Sequence, residues 1–310
     1  CGKTTSLRII AGLERATSGK ILVENEDVTL LPATDRDVSM VFQSYALFPH
    51  MSVLENVSYG LKMINVPKEE FTEKSLETLK LVNLEGYENR MPSELSGGQQ
   101  QRVAVARAIV LKPKVLLFDE PLSNLDAKLR RQVREDIREI QQKLGVTTIY
   151  VTHDQEEALA ISDKVIVMNN AIIAQQGSPK ELYNFPKTKF VANFIGDANV
   201  VKAEIINQNN NIYEIQLAEM KINIESDQKL ESSVSVSLRP EKITISKSPE
   251  ENSIHASVNN ASFVGNSYQY IVNSKVGKIY VVSSDTNEIF NVGENVYLNF
   301  DEKELRLLDD

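Results

Sequence analysis

Lys114-Val115-Leu116-Leu117-Phe118-Asp119-Glu120-Pro121 is an unbroken apolar run that ends in two carboxylates and a proline. A strand apolar at every position is covered on both faces, as in a parallel sheet between helix layers, and the chemistry of such sheets gathers beyond the carboxyl ends of their strands. Asp119 then lies where a metal can reach it. A second run, Thr147-Thr148-Ile149-Tyr150-Val151-Thr152-His153, is rich in β-branched residues and also ends on polar ones. Two such neighbouring strand ends would present Asp119, Glu120 and His153 to one crevice. Between the runs, Asp126 to Leu144 carries Leu129, Val133, Ile137, Ile140 and Leu144 at spacings of three and four, an amphipathic helix with a charged outer face. Strand, helix, strand predicts a right-handed crossover and an α/β fold with a doubly wound sheet.

Working outward, Leu95-Ser96-Gly97-Gly98-Gln99-Gln100-Gln101-Arg102 places Ser96 three residues before Gln99, the spacing of a capping box, ahead of a good helix from Val103 to Leu111. The free N–H groups of such a helix start attract anions, and two glycines let a phosphate approach the backbone. A capped surface helix is the plainer reading. At the other end, Gly2-Lys3-Thr4 is the last third of the phosphate-loop pattern G-x-x-x-x-G-K-[ST], followed by a helical pattern at Leu7, Ile9, Ile10 and Leu13. The sequence is therefore expected to open inside that motif, its first glycine and strand lying upstream of Cys1.

A chain of 310 residues with 42% hydrophobic and 25% charged residues has the means for about two domains. Its net charge of -9 argues against a nucleic-acid backbone as partner. No apolar run approaches the roughly 20 residues that span a bilayer, so work at a membrane would go through a partner. The single cysteine and the lack of an apolar leader favour the cytoplasm.

After Gly177-Ser178-Pro179 a short helical stretch ends near Ile195, and the composition then shifts towards Asn and Ser. Alternating runs at Ser232 to Leu238, Lys242 to Ile245 and Lys278 to Val282 predict short strands, and Gln208-Asn209-Asn210-Asn211 a hairpin turn or a polar low-complexity stretch. Together they predict a small β-barrel-like domain.

The segments Val41-Phe42-Gln43, Leu95 to Gln99, Asp119-Glu120-Pro121, Ser123-Asn124-Leu125-Asp126 and Val151-Thr152-His153-Asp154 stand in the order and spacing of the ATP-binding-cassette ATPases, which this chain resembles. Ser235-Val236-Ser237-Leu238-Arg239-Pro240-Glu241 resembles the opening of the accessory domain of importer ATPases of the sugar, polyamine, ferric-iron and sulfate class. The resemblance implies a P-loop NTPase domain over residues 1–196, with a helical subdomain at about 44–110, and an all-β, OB-like (TOBE-type) domain over 197–310.

It also implies roles for particular residues. Gly2, Lys3, Thr4 and Thr5 would hold the phosphates of ATP, and Thr4, Asp119 and Gln43 would bind or sense Mg2+. Glu120 would polarise the attacking water and His153 would touch the γ-phosphate, with Gln43 completing the catalytic set. Ser96, Gly97, Gly98 and Gln99 would reach ATP held by a second copy, with Asp126 at that interface or as a helix N-cap. The functional unit would be a homodimer on the cytoplasmic face of the inner membrane. Integral-membrane permease subunits would anchor it there, and a solute-binding protein would work with it indirectly. The apolar cluster of Tyr45, Leu47, Phe48, Met51, Val53 and Leu54 would either receive the permease or be buried.

For the cargo, Phe194-Ile195-Gly196-Asp197-Ala198-Asn199 and the segment from Val41 to Pro49 resemble the ferric-iron and 2-aminoethylphosphonate branch most, with spermidine/putrescine, sulfate and sugar importers as alternatives. A soluble cassette ATPase outside transport is the reading of another class; it would ordinarily carry two cassettes or a long coiled-coil insertion.

Overall fold

In the computed structural model, which describes residues 1–226, 230, 232–250 and 252–309, the chain enters on helix α1 (Lys3–Ala11). Gly12 closes that helix at φ 79°, the left-handed conformation that glycine adopts without steric cost. A short antiparallel pair, β1 (Leu22–Val23) and β2 (Glu26–Asp27), precedes β3 (Val38–Val41). Helices α2 (Val53–Met63), α3 (Lys68–Leu81) and α4 (Gly97–Ile109) follow. The predicted strand is β4 (Val115–Asp119), the predicted amphipathic helix is α5 (Ala127–Leu144), and β5 (Thr147–Val151) and the short α6 (Gln155–Ile161) come next.

The sheet β3-β4-β5 is parallel throughout. Its central strand explains the unbroken apolar run. Leu117 joins Leu7, Ala11 and Val151 in a core under α1, whereas Leu116 and Phe118 join Val103, Val133, Ile137 and Ile140 in the larger core on the other side. Both faces of β4 are covered, and burial of Leu116, Leu117 and Phe118 contributes about 1.5–3 kcal/mol each. In the cluster after Gln43, Tyr45 and Val53 are core residues, Leu47 and Leu54 pack against that core, and Phe48 and Met51 are half-buried.

Contacts group the chain into two compact units, residues 1–163 with 168–172, and residues 164–167 with 173–310. The strands β6 (Val165–Asn169) and β7 (Ile172–Gly177) form the two-stranded ribbon where the chain passes from one to the other. Helices α7 (Pro179–Asn184) and α8 (Lys189–Phe194) belong to the second unit; the helical stretch expected there is thus two helices, parted around Pro186.

The rest of the second unit is β8 (Asn199–Asn209), β9 (Ile212–Leu217), β10 (Met220–Glu225), β11 (Ser233–Leu238), β12 (Thr244–Ser246), β13 (Ile254–Phe263), β14 (Tyr268–Ser274), β15 (Gly277–Ser283), β16 (Asn295–Asn299) and β17 (Arg306–Leu308). They form two five-stranded antiparallel sheets, β10-β9-β8-β11-β17 and β12-β16-β13-β14-β15, around one apolar core. The strand expected over Lys242 to Ile245 begins only at Thr244, because Pro240–Lys242 winds a 3-10 turn first. The turn at Asn209 to Asn211 is a hairpin, with Asn209 paired to Ile212. Asn199 joins the two sheets: its side-chain amide donates to the Tyr280 carbonyl and its amide oxygen accepts from the Tyr280 N–H, each at 2.7 Å.

No helix among the described residues is long and apolar enough to cross a membrane.

Candidate active site

Register alone brings the predicted residues together. Val41 lies opposite Phe118, and Phe118 opposite Tyr150, so two residues further on Gln43, Glu120 and Thr152 leave the sheet at one level. Asp119 is the last residue of β4, and α1 begins at Lys3 above the same edge.

The contacts follow from that placement. Thr4 Oγ1 donates to Asp119 Oδ1 at 3.2 Å, and Lys3 Nζ donates to the Thr152 carbonyl at 2.5 Å. Glu120 Oε2 stands 3.2 Å from His153 Nδ1, with the histidine exposed and the glutamate three-quarters covered. The Glu120 N–H donates to the Val151 carbonyl at 2.9 Å, and its φ of 47° turns the backbone out of the strand direction. That left-handed conformation is uncommon for a residue with a side chain, and such residues cluster where geometry is fixed for function.

Gln43 Nε2 donates to Ser123 Oγ at 3.0 Å, and Ser123 Oγ donates to the Glu120 carbonyl at 3.0 Å. Asn124 closes the link by donating to the Gln43 carbonyl, also at 3.0 Å. Gln43 therefore touches the turn that carries Glu120 through Ser123. The backbone beyond Gln43 is held as well: Tyr45 and Ala46 both have left-handed φ, and their carbonyls accept from Arg107 at 2.9 and 2.7 Å. Burial alone pushes the Arg107 guanidinium below its ordinary pKa.

Ser96 caps α4 as expected, with a full capping box to Gln99. The glycines behind it serve packing in this chain. A Cβ on Gly98 would stand 2.8 Å from Leu129 Cδ1, and one on Gly97 would stand 3.0 Å from Leu125 Cδ2. Asp126 is the N-cap of α5, accepting from the Leu129 N–H at 3.0 Å. Among the described residues, the side-chain hydrogen bonds of Ser96 and Asp126 go to Gln99 and Leu129, within their own helix starts, where both are exposed. Thr5, on the first turn of α1, is exposed.

Sequence reading passed over Glu157, which is buried at 3% exposure. Its Oε2 accepts from the Tyr150 and Thr152 hydroxyls at 3.1 and 2.8 Å, and burial beside this carboxylate pushes the Tyr150 phenol far up. Two hydroxyl residues two apart at the end of one strand share a face, and that pattern was the available signal.

Comparison with known proteins gives a consistent picture. A family model described as ABC transporter matches residues 1–123, and one described as TOBE domain matches residues 236–308. The chain is 50% identical over 309 residues to a protein of Agrobacterium fabrum named Fe(3+) ions import ATP-binding protein FbpC, covering all of this chain and 87% of that one. Proteins of the same name from Rhizobium etli and Brucella melitensis are 48% identical over the same coverage. Among solved structures, the dimeric post-hydrolysis state of an ATP-binding cassette bound to ADP and Pi matches with TM-score 0.51 and 32% identity, over 57% of this chain and 81% of that one. CbiO1 from Clostridium perfringens, part of the cbiONQ transporter complex, matches with TM-score 0.55 and 32% identity, over 59% and 74%.

Proposed function

Because this chain belongs to the ABC transporter family of ATP-hydrolysing proteins, we propose that it drives import of ferric iron through permease subunits, working as a dimer at the cytoplasmic face of the inner membrane. The observation that carries this reading is the convergence of Thr4, Asp119, Glu120, Gln43 and His153 at the carboxyl ends of β3, β4 and β5.

Glu120, held beside His153, is the group that would take the proton of the attacking water, and His153 would face the γ-phosphate. Lys3, with Gly2 and Thr5 at the start of α1, would turn from the Thr152 carbonyl to the phosphates. Thr4 Oγ1 and Asp119 Oδ1 are hard oxygen donors 3.2 Å apart, a pair that fits Mg2+, which takes carboxylate and phosphate oxygens and keeps several waters. When bound, that ion supplies charge neutralisation at the phosphates. Gln43, tied through Ser123 to the Glu120 turn, is suited to report the state of the permease to the hydrolytic residues.

Ser96 and Asp126 are exposed and Gly97 and Gln99 half-buried at their helix starts, with Gly98 buried behind them, which suits contact of these helix starts with ATP held by a second copy. We assign nucleotide handling to the first unit and a regulatory or dimer-stabilising role to the second, which takes in residues 164–167 and begins in earnest at 173 where the sequence suggested 197.

The cargo assignment rests on the three ferric-iron relatives. Cells deprived of this subunit should lose uptake of radiolabelled ferric iron and regain it when the chain is supplied. Loss of 2-aminoethylphosphonate, spermidine, sulfate or sugar uptake in its place would overturn the cargo assignment.

A further inference from the structure

The turn that carries His153 is tied down on both sides while the histidine itself projects. On one side, Thr152 gives its hydroxyl to Glu157 at 2.8 Å and its carbonyl accepts from Lys3. On the other, the Asp154 N–H donates back to Thr152 Oγ1 at 2.9 Å, and the Asp154 carboxylate accepts from the Glu157 N–H at 3.2 Å. Arg130 closes the network from α5, reaching Asp154 Oδ2 at 3.4 Å and the Leu125 carbonyl at 2.9 Å, with its Nε 3.9 Å from Glu157 Oε1. The His153 side chain remains 68% exposed.

A carboxylate buried this deeply has to be compensated, since an unpaired buried charge is costly. Glu157 meets two hydroxyls and a guanidinium, and none of its partners is a reacting group. The interaction is spent on holding the two residues beside His153.

We propose that Thr152, its hydroxyl held between the Glu157 carboxylate and the Asp154 N–H, is a positioning residue that fixes the His153 turn against Glu120. Arg130 extends the same network to the loop of Leu125 and Asp126. This inference rests on the ATPase reading of the site and deepens it.

The test is a double-mutant cycle in steady-state ATP hydrolysis, with Thr152→Val to remove the hydroxyl at nearly constant shape. Thr152→Val should lower kcat about tenfold or more while the KM for ATP stays within about twofold, and Thr152→Ser should restore kcat to within about twofold of the parent. In a His153→Ala chain the same Thr152→Val change should cost less than about twofold, because its effect passes through the histidine. A kcat near the parent value for Thr152→Val, an equal loss in the His153→Ala chain, or no recovery with Thr152→Ser would overturn the positioning role and leave the site reading standing. Full activity of His153→Ala itself would instead overturn the site reading.

Discussion

Two sets of polar side chains, one in each unit, are used differently. In the second, Arg239 is buried and spends its hydrogen bonds on backbone carbonyls, those of Tyr183, Ala192, Ile195 and Gly196, while its guanidinium lies over the Tyr183 ring. Asn199 and Arg306 likewise bond to main chain, at Tyr280 and Asn184. In the first unit Arg36 does the same for Ile9, Ile10, Thr29 and Leu31, but at the strand ends side chain meets side chain: Thr4 with Asp119, Gln43 with Ser123, Glu120 with His153. A side chain that satisfies buried backbone is committed to the fold, because releasing it leaves unpaired carbonyls. A side chain that faces another polar side chain near solvent can exchange that partner for a ligand.

The contrast can be broken or sharpened by substitution. The largest effect is expected at Glu120→Gln, which removes the proposed proton acceptor: kcat should fall by about a hundredfold or more with ATP binding retained. Comparing ATP turnover with binding of a labelled nucleotide decides it, and turnover above about a tenth of the parent rate would remove Glu120 from the general-base role. Next comes Arg239→Met in the second unit, which strands several buried carbonyls and should lower the stability of that unit by about 3 kcal/mol. Chemical denaturation followed by circular dichroism measures it, with turnover per folded molecule held within about twofold. A loss below about 1 kcal/mol would mean that Arg239 is not committed to the fold in the sense argued.

The smallest effect is expected at Gly98→Ala. The added methyl meets Leu129 Cδ1 at 2.8 Å but gains helix propensity, so about 1 kcal/mol should be lost, a fall of about 2–4 °C in the first unit's unfolding midpoint. Adding Leu129→Val, which shortens the obstructing side chain, should recover part of it; no recovery would mean that the contact with Leu129 is not the cause.

Much of the first unit was legible in the sequence because its elements follow strict periods. The two-sided burial of β4 appears as an unbroken apolar run, α5 as a three-and-four spacing, and α4 as a capping box. Glu157 and Arg130 were not legible, since their importance arises from burial against residues of another strand and helix. The link from Gln43 to Ser123 spans eighty positions and depends on the register of β3 against β4. Arg239 stood in a quoted motif, yet its partners lie in α7, α8 and the loop after α8, whose packing no local pattern reveals. The motif residues Gly97 and Gly98 were read for a phosphate alone, and the structure adds that they admit Leu125 and Leu129.

The left-handed backbone at Glu120 carries one more implication. A residue with a side chain pays about 1 kcal/mol or more for that conformation, whereas glycine adopts it freely and asparagine at reduced cost. Selection for abundant, folded protein would therefore drift position 120 towards glycine or asparagine, and the role proposed for Glu120 in turnover is what would keep a carboxylate there. On the proposed role, foldability and chemistry press on this one residue from opposite directions.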